Sequence, residues 1–114
     1  MNTLKCRLLS LMCYKSSEED GDEAYLKLNS AKLWPQQSKW HKMTSNSEVK
    51  LNIVLTDTNK VGQLKLSLYD KDTFFDDRLG SFVLNMDSPG GPFRTDLGSP
   101  TNGARYCLTW EVYN

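Results

Sequence analysis

The sequence predicts an all-β fold, an antiparallel sandwich of seven or eight short strands, on three observations. Apolar and polar residues alternate in several runs, clusters of Gly, Pro, Asn, Asp and Ser separate those runs, and no segment carries a convincing helical stripe. With 114 residues, 39% of them apolar and 11% aromatic, the chain can build one core and is too short for two ordinary domains, so residues 1–114 are expected to form one domain. A sandwich suits such strands because it manages exposed edges better than an open sheet does.

In chain order, MNTLKCRLLSLMC joins basic residues to an apolar run in the manner of a signal peptide. It lacks a small-residue cleavage site and the run is short, so it reads as a first buried strand. Cys6 and Cys13 on one extended strand stand roughly 23 Å apart and cannot bridge each other. With Cys107 they form neither a C-x-x-C pair nor an even framework, which predicts free buried thiols in a reducing, cytoplasmic setting. AYLKLNSAKLWP is a strand, a turn near Asn29-Ser30 and a return strand stopped by Pro35, and QQSKWHKM has room for one helical turn. SEVKLNIVL sets Val49, Leu51, Ile53 and Leu55 on one face, and GQLKLSLY repeats the pattern with Leu64, Leu66 and Leu68. GSFVLNM follows, and ARYCLTWEV closes the chain with Tyr106, Leu108, Trp110 and Val112 on one side. TDTNKVG, DSPGGP and LGSPTNG read as turns.

Several functions are excluded early. Lys plus Arg equals Asp plus Glu at 14 each, so the molecule offers no bulk field to attract nucleic acid. No stretch approaches the roughly 18 apolar residues of a transmembrane segment, which predicts a soluble chain. His41 is the only histidine, which rules out a His-rich zinc site, and none of the cysteines has the surroundings of a nucleophile, so no enzyme is expected. No phosphate-binding glycine loop occurs. An EF-hand fails too, since Phe74 and Ser81 fill the fifth and twelfth positions counted from Asp70.

The chemistry concentrates in two acidic loops. YDKDTFFDDRLG, residues 69–80, places Asp70, Asp72, Asp76 and Asp77 around Phe74 and Phe75, between the strand ending at Leu68 and the one beginning at Leu79. In extended chain Asp70 and Asp72 point the same way about 6.6 Å apart, a cation-bracketing distance, and Asp76 and Asp77 return on the opposite limb. A hard ion such as Ca²⁺ takes 6–8 oxygen ligands in flexible geometry, which carboxylates gathered from loops supply. SSEEDGDEAY adds Glu18, Glu19, Asp20, Asp22 and Glu23. If both clusters share one end of the sandwich they repel by several kcal/mol per close pair at an effective dielectric of about 20, and a divalent ion reverses the sign. The plainer alternative is a pair of solvated acidic turns.

The order of strand, acidic loop, D-E-A-Y-L-K-L, hairpin with W-P, strand, L-K-L-S-L-Y-D-K-D, loop, D-R-L-G and strand resembles the C2 domain, a Greek-key β-sandwich. Members carry S-D-P-Y-V-K-V after the first loop and V-x-D-x-D…D-x-[IL]-G later; residues from about 4 to 86 follow that plan. The resemblance implies Asp70, Asp72 and Asp77 as calcium ligands of the third binding loop, with Asp77 fixed by its place three residues before Gly80. It places Glu23 where members have Asp before Pro-Tyr, with Asp20 or Asp22 as the other first-loop ligand. The chain departs from the pattern at Glu23 and Ala24, in an Asp72–Asp77 span one residue shorter, and in lacking the extra N-terminal strand of some members.

By the same likeness the expected function is a non-enzymatic, calcium-dependent module docking on anionic phospholipid at the membrane periphery. Phe74 and Phe75 would enter the headgroup layer, while Lys39, Trp40 and Lys42 in the second loop of the same end would meet anionic headgroups. Fully burying two phenyl groups contributes roughly 3–6 kcal/mol, enough for reversible docking and not for anchoring. Alternatively, one ring roofs the core, or the rings meet a protein partner. A second function class is therefore a structural or assembly protein that joins copies of itself or another protein, with or without calcium.

Overall fold

The computed structural model describes residues 4–56 and 62–114. These residues form nine strands: β1 (Lys5–Lys15), β2 (Asp22–Leu28), β3 (Ala31–Trp34), β4 (His41–Met43), β5 (Ser47–Thr56), β6 (Gln63–Asp70), β7 (Asp77–Asn85), β8 (Gly90–Gly98) and β9 (Arg105–Tyr113). One sheet runs β5-β1-β9-β8 and the other β3-β2-β6-β7, with β4 beside β3 on the same edge of β2. Every pairing is antiparallel. No helix occurs among the described residues, and thus none long and apolar enough to cross a membrane.

The predicted alternation accounts for the core between the sheets. Leu64, Leu66 and Leu68 of β6 are buried while Gln63 and Lys65 are exposed, and Tyr106, Leu108, Trp110 and Val112 of β9 face the same interior. In β1 the inward set is Cys6, Leu8, Leu11 and Cys13, whose spacing breaks a strict period of two. A register irregularity between Leu8 and Ser10, present against both neighbours, absorbs the extra residue and returns Leu11 to the core. All three cysteines are free and buried, as their number and spacing predict.

Three expectations are corrected. His41–Met43 forms a strand on β2 instead of a helical turn, with His41 opposite Ala24 and Met43 opposite Asp22. β8 runs between and into two stretches read as turns, DSPGGP and LGSPTNG, where no strand was expected: Gly90–Gly98 has one buried residue, Leu97, so an edge strand with little alternation left no period to detect. The strands therefore number nine instead of seven or eight. Most of TDTNKVG lies outside the described residues.

The glycine of D-R-L-G has a packing reason. A Cβ on Gly80 would sit 2.9 Å from Leu97 Cγ and Cδ1, so a bare backbone there lets β8 close against β7. At one end of the sandwich the turns after β1, β4 and β6 meet. Ser16 N donates to Ser45 Oγ at 3.1 Å, and Lys71 N donates to Glu23 O at 2.8 Å.

Candidate functional site

Both acidic loops reach that end. Asp22 opens β2 on its inward face and is fully buried; Asp70 ends the inward stripe of β6, where the next apolar residue would fall, and is 3% exposed. The Asp22 carboxylate accepts from Ser17 N at 2.9 and 3.0 Å, from Ser17 Oγ, from Glu18 N at 3.3 Å and from Tyr106 Oη at 2.6 Å. Asp70 accepts from Glu23 N at 2.8 Å, and Ser17 Oγ lies 3.4 Å from its other oxygen. Ser17 thus bridges the two carboxylates. A buried carboxylate is tolerated only when donors replace its water, and backbone N–H groups supply most of them here.

Gly21 shapes the first loop. Its φ is +102°, and a Cβ there would meet Met43 O at 2.9 Å. Lys42 passes over it, with Cε 3.2 Å from the same position.

The tip of the second loop is organised differently. Phe74 and Phe75 are 87% and 83% exposed, so neither roofs the core. Asp72 Oδ1 accepts from Thr73 N at 2.6 Å, and Asp76 Oδ1 accepts from Asp72 N at 3.1 Å, which fixes the turn. The other Asp76 oxygen, Oδ2, accepts from Tyr25 Oη, while Lys71 Nζ lies 3.8 Å from Oδ1. These contacts, with the Tyr25 hydrogen bond foremost, lower the Asp76 pKa and hold its carboxylate toward the outer face of the β2–β6 sheet. Glu23 alternates with Asp22 and shares that outer face, in register with Lys42. Asp20 and Asp77 have no side-chain hydrogen bond or ion pair among the described residues.

The rim is crowded with negative charge. Burial first, then the charges of Asp22 and Glu18, push the Asp70 pKa up to about 6 against the lowering effect of its hydrogen bonds. Glu18 is also raised, by desolvation and by Asp20, Asp22, Asp72 and Asp77. The oxygen donors suit a hard cation such as Ca²⁺. As they stand they make no closed cage: among the described residues no three His, Cys, Asp or Glu side chains are gathered to hold a metal ion. Asp22 has its oxygens taken by protein donors, and Asp76 and Glu23 lie on the outer face. Of the expected ligands, Asp20, Asp72 and Asp77 are exposed and Asp70 lies behind them, with Glu18 and Glu19 also exposed in the first loop.

The outer face of the β2–β6 sheet also carries a cluster of lysines. Lys27, Lys32, Lys39 and Lys71, with Tyr25 and Asp76, line a trough of about 340 Å³. Tyr25 stacks on Tyr69 with ring centroids 5.2 Å apart, and Lys27 Nζ lies 5.1 Å from the Tyr69 centroid. A period of two sets Tyr25 and Lys27 of β2 on one face, but Lys71 and Lys39 join them from two other segments. Lys39 therefore lines this trough instead of standing on the loop tip. The turn that reaches the rim after β4 is Thr44–Asn46, while Trp40, 38% exposed, sits in the β3–β4 connection.

His41 packs on Trp34 with ring centroids 5.4 Å apart, and burial raises the Cys13 pKa and pushes that of Cys6 up to about 12. A thiol held protonated is a poor nucleophile.

Comparison with solved structures places the fold. A chain described as "Structure of a C2 domain" superposes with a TM-score of 0.62 and 19% identity, covering 98% of each chain. No family model and no curated protein sequence matches. The chain has the C2 fold.

Proposed function

We propose that residues 1–114 act as one non-enzymatic domain that docks on anionic phospholipid in a calcium-dependent manner, at the cytoplasmic face of a membrane. The exposure of Phe74 and Phe75 at the tip of an acidic loop carries this reading. Two large rings surrounded by carboxylates are repelled by an anionic surface until the carboxylates are neutralised, and only then is apolar burial favourable. Calcium would be held by Asp20, Asp70, Asp72 and Asp77, supplying positive charge to the rim. The lysine trough offers a second contact for anionic headgroups, with roughly 1 kcal/mol per Lys near the surface. Partial burial of two phenyl groups supports reversible docking.

Cosedimentation with phosphatidylserine-containing vesicles tests it. Binding is expected with Ca²⁺ and not with EDTA, and Phe74→Ser with Phe75→Ser is expected to weaken it by at least about tenfold, because the rings supply more than 1.4 kcal/mol. The double variant should keep the parent melting temperature, since the rings are exposed. Equal binding in EDTA removes calcium from the reading, and no binding to any anionic vesicle removes phospholipid. A mass increase with Ca²⁺ that the double variant abolishes would reassign the tip to protein assembly.

A further inference from the structure

A second surface lies away from the acidic rim. β5 is an edge strand of ten residues: among the described residues it pairs with β1 and with no other strand, so half of its backbone N–H and C=O groups face outward. Opposite it the other sheet offers the short strands β3 and β4, of four and three residues. Between them opens a groove of about 630 Å³ lined by Trp34, Pro35, Leu51 and Ile53 among others. Val49, Leu51 and Ile53 touch the core yet remain half-buried, and Val54 is 47% exposed.

Such an edge invites another strand. Lys50 at mid-strand and Asn52, whose φ of +51° interrupts the regular strand, are the kind of features that limit open-ended pairing. They leave Ser47–Leu51 as a short regular template.

We propose that this template pairs antiparallel with the same segment of a second copy, about a two-fold axis at Val49. Glu48 and Lys50 are both exposed and flank Val49, so this register sets Glu48 of each copy opposite Lys50 of the other. Self-complementarity of this kind is what an isologous interface requires, and opposite charges facing each other across strands are favourable where like charges are not. The formal net charge of +0 leaves no long-range repulsion between copies. This goes beyond lipid docking and needs neither lipid nor calcium.

Sedimentation velocity over a concentration series, in EDTA and without vesicles, tests the pairing through charge reversal at two exposed positions. The parent chain should pass from monomer to dimer as concentration rises. Glu48→Lys and Lys50→Glu, each alone, place like charges opposite one another and should weaken the dimer by about tenfold as two cross-strand pairs change sign. Mixed one to one, the two single variants should regain parent affinity as a heterodimer, and the double reversal should regain it alone. Unchanged melting temperatures establish that each variant is folded. A parent chain monomeric at its solubility limit overturns the proposal and leaves the groove to an extended segment of another protein. Dimers indifferent to the single reversals, or a mixture with no recovery, overturn it as well.

Discussion

The base and the tip of the acidic rim have similar composition and opposite uses. At the base, Asp22 and Asp70 are buried, and backbone N–H groups and hydroxyls converge on them from the β1–β2 turn, from β2 and from β9. At the tip, four and five residues beyond Asp70, two phenylalanines stand almost wholly in water, and the neighbouring aspartates bind only their own turn, Tyr25 and Lys71. Carboxylates at the base stitch strands together; those at the tip shape a surface. Count and sign of charge do not separate these roles. Distance from the last inward position of a strand does.

The largest expected effect lies at the base. Asp22→Ala leaves Tyr106 Oη, Ser17 N and Glu18 N without their acceptor in a buried place, and should lower unfolding free energy by about 3 kcal/mol or more. Asp22→Asn keeps one acceptor oxygen and should lose about half as much. Urea denaturation monitored by tryptophan fluorescence measures both. A loss under about 1 kcal/mol for Asp22→Ala would erase the distinction between base and tip.

Next comes the pH dependence set by Asp70. Its folded pKa, about 6, lies above the ordinary 3.8, chiefly through burial. Between about pH 4 and pH 6 the folded chain keeps a proton that the unfolded chain releases, so stability is greater below this window and falls as pH rises through it. Two pH units set an upper bound of about 3 kcal/mol. Asp70→Asn cannot ionise and should flatten that part of the stability curve, gaining on the parent at pH 7. An unchanged curve would show that the charge at the base is screened.

Much of this was legible in the sequence. Alternation in SEVKLNIVL, GQLKLSLY and ARYCLTWEV located the central strands, because burial on one face enforces a period of two. The two acidic loops followed from the strand pattern, while their meeting at one end was only a condition until the turns were placed. Three things did not follow. β8 has one inward apolar residue, so its edge position hid it. The division of labour among carboxylates depends on Tyr106, 84 residues from Asp22, and on Tyr25, 51 residues from Asp76, pairings that no local window contains. The lysine trough likewise assembles Lys27, Lys39 and Lys71 from separate segments.

The smallest effect tests how the tip is tethered. Tyr25→Phe keeps the ring that stacks on Tyr69 and removes only the hydroxyl that donates to Asp76. Stability should fall by about 1 kcal/mol or less, the net value of one partly exposed hydrogen bond. The Asp76 carboxyl should titrate at higher pH in NMR than it does in the parent, since that hydrogen bond is the largest of the contacts lowering its pKa, while Asp72 N and Lys71 keep the shift from vanishing. Freed from the outer face, Asp76 gains access to the rim where Asp72 and Asp77 lie, so Ca²⁺ should raise the melting temperature of the variant more than that of the parent. If Asp76 titrates as before, Tyr25 does not steer it, and the contrast between a stitched base and a free-standing tip has to rest on the phenylalanines alone.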